Sequence, residues 1–298
     1  SSANFSQLES AQKHLRPNTR VIYFESPVNP DLTLIDIGAV ANWVREVNRE
    51  RRPEQRLWLV VVNTFATPYG QRPLKLGADL VVSSLTKNIG GFGTDLGGMV
   101  AGPACFEGNW MSFRKDLGGV LSPRNAWHFL VYGLPTLPIR FRQQQESALK
   151  LARFLERHPC VEKVIYPGLE SFPQKELAHR QLQDYDGRFA PGTMVYFRLR
   201  EPAPKTGENA RKFIDYLGQN AYAITMAVSL GQIRTLVEHP YSMTHGSLVT
   251  EGAPSPVDPC GIRLSLGLEK ADDLIHELSE ALETVFQPAP KVNRPDRS

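Results

Sequence analysis

One lysine in this 298-residue chain stands among residues suited to covalent chemistry. Lys87 lies in the run Ser83-Ser84-Leu85-Thr86-Lys87-Asn88-Ile89-Gly90-Gly91-Phe92-Gly93-Thr94-Asp95, which follows an apolar segment. Glycines let backbone approach a ligand closely, and hydroxyls beside a lysine suit a phosphate. Two phosphate-binding motifs fit poorly. A Walker loop puts its glycines before the lysine and Ser or Thr after it, whereas here the glycines follow Lys87 and Asn88 comes next. A dinucleotide fingerprint needs GxGxxG, and Gly91, Gly93 and then Leu96 break that spacing. Two readings remain. Lys87 is an exposed lysine in a flexible loop, or it is a desolvated nucleophile that forms an imine with a carbonyl. A phosphate-bearing aldehyde would use the lysine and its neighbouring hydroxyls together, as pyridoxal 5'-phosphate (PLP) chemistry requires.

The elements that must position this lysine alternate in kind. Val21–Glu25, the continuous apolar run Leu57–Val62, Leu80–Ser83 and Gly98–Ala101 read as strands, the second of a type buried on both faces of a parallel sheet. Ile37–Val47 reads as a helix capped by Asp36. Strand and helix in alternation predict an α/β layer fold with a parallel sheet, whose ligands bind beyond the carboxyl ends of the strands. Helical spacing dominates from Pro123 to His158. A second region follows, with strands at Met194–Arg198 and Gly261–Ser265 and helices near Arg211–Leu217 and at Ala271–Phe286. Asp272 and Asp273 stand in the first turn of the last helix, where the dipole favours acids. The expected organisation is a large domain over 1–138, a smaller C-terminal α/β domain over 139–286, and a disordered tail over 287–298.

Composition narrows the function. Hydrophobic residues make up 41% and charged residues 22%, the range of a globular protein. The net charge of +3 comes from 34 basic and 31 acidic residues that are interspersed, so no nucleic-acid footprint is visible. No apolar run approaches the roughly 20 residues of a membrane helix, and the first residues lack a signal-peptide layout. Cys105, Cys160 and Cys260 are too scattered for a disulfide framework, which points to the cytoplasm. His239, His245 and Cys260 match no standard zinc spacing, and no metal is expected.

Ordered motifs along nearly the whole chain resemble the Cys/Met-metabolism family of PLP enzymes. They are Glu25-Ser26-Pro27-Val28-Asn29-Pro30, Asn63-Thr64-Phe65-Ala66-Thr67-Pro68-Tyr69, Gln71-Arg72-Pro73-Leu74, Gly77-Ala78-Asp79 and Ser84-Leu85-Thr86-Lys87. Leu121-Ser122-Pro123, Tyr166-Pro167-Gly168-Leu169, His239-Pro240, Ser242-Met243-Thr244-His245 and Ile262-Arg263-Leu264-Ser265-Leu266-Gly267-Leu268-Glu269 continue the series. The resemblance implies PLP-dependent transferase fold type I, the aspartate-aminotransferase-like arrangement of a mostly parallel large domain, here shortened, with a smaller C-terminal domain. It implies that Lys87 holds the cofactor and moves protons. Ser84 and Thr86 match hydroxyls that bind its phosphate, and Asn29 matches an asparagine on the pyridine 3'-oxygen. Arg263 matches the arginine that grips the substrate α-carboxylate, a task that suits a planar guanidinium. Ser229 matches a position beside the same carboxylate. His245 is read as structural. The implied activity is β- or γ-elimination or replacement on sulfur-containing or O-activated amino acids, by a homotetramer built as a dimer of dimers.

Two departures accompany the resemblance. Val62 occupies the place where the family motif carries an aspartate that keeps the pyridine nitrogen protonated. A valine cannot hold that proton, so the electron sink weakens. The resemblance also implies that the chain starts inside the family's usual large domain, past the segment expected to supply a stacking tyrosine and an arm to the neighbouring subunit. The rival expectation is therefore a vestigial PLP-binding homologue that acts only through subunit assembly. Val228, apolar where relatives that handle cystathionine often carry an acid, leans the substrate toward methionine-lyase-like or sulfhydrylase-like chemistry.

Overall fold

The computed structural model describes residues 3–244 and 257–286, and the predicted tail and His245 lie outside them. Two sheets organise the chain. The first has the order β1 (Val21–Glu25), β2 (Trp58–Val62), β3 (Leu80–Ser84), β4 (Gly98–Ala101). Its first three strands run parallel, and β4 returns antiparallel to β3. The second sheet has the order β5 (Val161–Ile165), β6 (Met194–Leu199), β9 (Gly261–Ser265), β8 (Thr235–Glu238), β7 (Ile224–Met226). It is antiparallel except for the β7–β8 pair.

The helices are α1 (Leu8–Gln12), α2 (Ile37–Arg49), α3 (Thr67–Gly70), α4 (Glu107–Leu117), α5 (Pro123–His128), α6 (Leu134–Arg157), α7 (Lys175–Gln181), α8 (Glu208–Asn220), α9 (Pro240–Met243) and α10 (Ala271–Phe286). The Asp36 carboxylate caps α2 by accepting from the Ala39 amide at 3.0 Å. Ile37, Val40, Ala41 and Val44 recur at helical spacing, and they pack on Ile22, Phe24, Leu59 and Val61 of the sheet.

The sequence reading of β2 as buried on both faces meets a different arrangement. Leu59 and Val61 are fully buried under α2, while Trp58, Val60 and Val62 point to the other face and are only partly covered. Val21 and Tyr23, beside them on that face of β1, are 51% and 61% exposed. An all-apolar run does not report which face has a covering layer, because valine suits either.

Helix α6 serves both halves. Leu137 and Phe141 join Tyr69, Leu85, Ile89 and Phe129 near the first sheet. Ala148, Leu151, Ala152 and Leu155 belong to the large core under the second sheet, with α8 and α10. The expected domain boundary at 138/139 falls within this helix. A polar seam adds to the join. Gln181 of α7 donates to Ser26 Oγ, the Ile35 carbonyl and Gln71 Oε1, and Gln71 in turn donates to the Ser26 carbonyl and Asn63 Oδ1. Buried amides need every partner they can reach, so this network fixes the loops that leave β1 and β2.

Phe213 of α8 is fully buried and meets Phe197 edge-on at 5.9 Å between ring centroids. Phe213→Ala is expected to cost about 3–5 kcal/mol through lost contacts and the cavity left behind, read as a lowered urea midpoint at unchanged slope.

Candidate active site

Three parallel strands end on one side of the first sheet, and the residues that follow them carry the site: Asn29 after β1, Asn63 after β2 and Lys87 after β3. Lys87 lies in a short helical segment, Leu85–Ile89, whose backbone kinks at the lysine itself (φ −88°, ψ −138°). The lysine is partly buried rather than an exposed loop residue. Its Nζ donates to Ser229 Oγ at 2.8 Å, across 142 residues of sequence. Gly231 makes this approach possible: it adopts φ +73°, and a Cβ there would collide with the backbone of Asn88.

Arg263, in the middle of β9, is only 2% exposed. Its Nη1 donates to Asn29 Oδ1 at 2.7 Å, and its Nη2 donates to the Ser229 carbonyl at 3.2 Å and to the Glu238 carboxylate. Glu238 stands opposite Arg263 in the β8–β9 register and is 1% exposed. Glu25 accepts from the Asn29 amide at 2.8 Å. Lys87, Ser229, Arg263 and Asn29, separately expected from sequence, thus form one connected cluster between the two sheets.

Ser84 and Thr86 flank the lysine differently. The Ser84 amide donates to Thr64 Oγ1 at 3.1 Å. Thr86 Oγ1 accepts from the Gly97 amide at 3.0 Å and donates to the Gly97 carbonyl at 3.3 Å, so this hydroxyl stitches the lysine segment to the start of β4. Val62 ends β2 in register with Glu25 and Val82, its side chain partly covered. Glu238 was missed in the sequence reading. The available signal was an acid closing the apolar strand Thr235-Leu236-Val237, where a buried charge requires a partner.

The electrostatics follow from burial. Desolvation pulls the Lys87 amine below the ordinary lysine value, the Arg263 charge pushes the same way, and Glu238 opposes both. Burial also lowers Arg263, with Glu238 and Glu25 holding its charge in place. The arrangement therefore sets an amine of lowered pKa beside a fixed guanidinium. Three hydrogen bonds engage that guanidinium, of the five it can donate. At one end the residues fit PLP, because the Lys87 amine could join its aldehyde. At the place of the ring-nitrogen partner stands valine, which has no polar atom to offer.

Comparison with known proteins places the chain in a family. The sequence profile "Cys/Met metabolism PLP-dependent enzyme" matches residues 1–283. The chain is 39% identical over 284 residues to an L-methionine gamma-lyase of Treponema denticola, covering 94% of this chain and 65% of that protein. It is 36% identical over 282 residues to a cystathionine gamma-lyase of Bacillus subtilis, covering 94% and 68%. The crystal structure of metB from Corynebacterium glutamicum superposes with a TM-score of 0.83 at 34% identity, covering 96% of this chain and 68% of that one. The chain belongs to the Cys/Met-metabolism family of PLP-dependent enzymes and has their type I fold. It spans about two thirds of the length of these relatives.

Glu238→Gln removes the carboxylate in direct contact with the buried Arg263 and leaves only the more distant Glu25, a change of at most about 3–5 kcal/mol. The double variant Glu238→Gln/Arg263→Met is expected to recover part of that loss in urea unfolding. The signs at Lys87 are opposite for the two single changes: Glu238→Gln lowers the amine's pKa further, and Arg263→Met raises it. Labelling Lys87 with an amine reagent across pH reads both directions.

Proposed function

We propose that this chain takes PLP on Lys87 and acts in β- or γ-elimination or replacement on sulfur-containing or O-activated amino acids. The observation that carries the reading is the convergence of the Lys87 amine with Ser229, Arg263 and Asn29 beyond the carboxyl ends of β1 and β3. Bound PLP supplies an aldehyde that joins an amine and a ring that draws electrons from the substrate Cα. The chain's own residues do the rest. Arg263 holds the α-carboxylate with the donors that Asn29, Glu238 and Ser229 leave available. The Lys87 amine, its pKa lowered by burial and by Arg263, takes a proton from Cα and can deliver it elsewhere. A γ-reaction requires a second deprotonation at Cβ, and one mobile amine serves both carbons. Ser229 Oγ accepts from Lys87 and keeps the amine beside the carboxylate site. Asn29 is assigned to the pyridine 3'-oxygen, and Ser84 and Thr86 to the phosphate.

The apolar character of Val228, 54% exposed beside Ser229, favours a small or apolar distal group on the substrate. A homotetramer in the cytoplasm completes the proposal. Exposed Phe113, Leu117, Trp127, Leu130 and Ile139 on α4 through α6 supply apolar surface suited to subunit contact. The cysteines of the described residues are all free, as in a reducing compartment. A second reading, a PLP-binding protein without turnover that acts through assembly, is favoured by Val62.

Titration with PLP tests the cofactor assignment that both readings share, and turnover then separates them. The parent is expected to develop the visible absorbance of lysine-bound PLP, and Lys87→Ala is expected to lack it; a parent without the band sinks the PLP assignment. Ammonia and keto-acid release from methionine, cystathionine and O-acetylhomoserine then identifies the substrate, and no release from any of the three selects the second reading. Val62→Asp is expected to raise turnover about tenfold, the effect of roughly 1.4 kcal/mol in the transition state. An unchanged or lower rate contradicts the role given to position 62.

A further inference from the structure

Arg140 of α6 is buried, 4% exposed, yet each of its hydrogen bonds goes to a neutral oxygen. Its Nη1 donates to the Asn88 carbonyl at 2.9 Å, and its Nη2 donates to the Ile89 carbonyl at 3.1 Å and the Gly133 carbonyl at 2.9 Å. Its Nε donates to Thr136 Oγ1 at 2.9 Å, and that hydroxyl donates onward to the Tyr132 carbonyl. Desolvation without a carboxylate partner draws the guanidinium down to about 10. A buried cation in this state is costly, so its place in the fold calls for a structural reason.

Two of the three carbonyls it engages belong to the residues immediately after Lys87. The kink at Lys87 interrupts the helical ladder: the Gly90 amide reaches back to the Leu85 carbonyl and the Gly91 amide to the Lys87 carbonyl, and the short segment ends there. The carbonyls of Asn88 and Ile89 are then end groups that the segment cannot satisfy by itself. Arg140 takes both with one rigid fork. Gly91, at φ +79°, passes so close to the guanidinium that any Cβ would collide with it, and the Phe92 ring lies 5.5 Å from Cζ. From Gly91 the backbone is tied to the second sheet's side, because its carbonyl accepts from the Ile233 amide at 2.7 Å.

We propose that Arg140 is a positioning residue, a clamp on the carbonyls that follow Lys87, which holds the kinked backbone so that the amine points to Ser229 and Arg263. The functional consequence rests on the PLP assignment above, but the clamp itself concerns the chain alone. Around the amine, the charged groups that act are Arg263 from β9 and Glu238 from β8, with Glu25 acting on Arg263. Arg140 acts through geometry, by keeping Lys87 in that field.

The test is the titration of Lys87 in the PLP-free chain, followed by acetylation with acetic anhydride across pH and quantified on the Lys87 peptide by mass spectrometry. Arg140→Lys keeps the charge but cannot span three carbonyls. It is expected to raise the Lys87 midpoint by about half a unit or more toward the free-lysine value, as the amine leaves its desolvated seat. Thr136→Val removes the acceptor for Nε, along with the hydroxyl's own bonds to the Tyr132 and Gly133 carbonyls, but none of the guanidinium's carbonyl bonds, and is expected to shift the midpoint the same way by less. A folded Arg140→Lys chain with the parent midpoint overturns the clamp. Should Arg140→Lys fail to fold, Thr136→Val decides: a parental midpoint there overturns it, and a raised one supports it. Addition of PLP separates the two claims. A shifted Lys87 midpoint with no visible PLP band in the parent leaves the clamp standing and removes the cofactor assignment.

Discussion

A charge taken out of water must be met by another, and in this protein that requirement falls on Arg263 and Glu238. They face each other on adjacent antiparallel strands of the second sheet, so backbone register alone brings them together. The pair does more than neutralise itself. By also engaging Asn29, 234 positions earlier in the chain, and the carbonyl of Ser229, Arg263 ties the loop after β1 to the loop after β7. The half of the chain that carries Lys87 and the half that carries the guanidinium are thereby held in one geometry.

The proximity of two cations explains the character of the lysine. Two carboxylates, Glu238 and Glu25, act on Arg263, and Glu238, which also acts on Lys87, is the one in direct contact with the guanidinium. Lys87 is left with a neutral hydroxyl partner and a desolvated seat. These are conditions under which an amine gives up its proton and becomes nucleophilic.

Rigidity around the lysine comes from groups that carry no chemistry. Thr86 holds Gly97, Gly231 lets one loop press on the backbone of Asn88, and α6 runs behind the segment as a rod anchored in both cores. The loops after β1 and β2 are fixed by the amide seam of Gln71 and Gln181. Placing a reactive group on a braced support favours catalysis, because orientation is then established before substrate arrives.

Several features were legible in the amino-acid sequence. The strands at Val21, Leu80, Gly98 and Gly261, the Asp36 cap and the amphipathic helices follow from local spacing and composition. The motif order named the family, and it marked Lys87, Asn29, Ser229 and Arg263. What composition could not report is who meets whom. The face of β2 left partly open, the bond from Lys87 to Ser229, the claim of Glu238 on Arg263 and the clamp by Arg140 all join residues far apart in the chain. Local sequence sets propensity and pattern over a few residues. Pairing of buried charges and orphaned carbonyls is decided only when distant segments are packed together, since each group's partner is whichever one the fold leaves within reach.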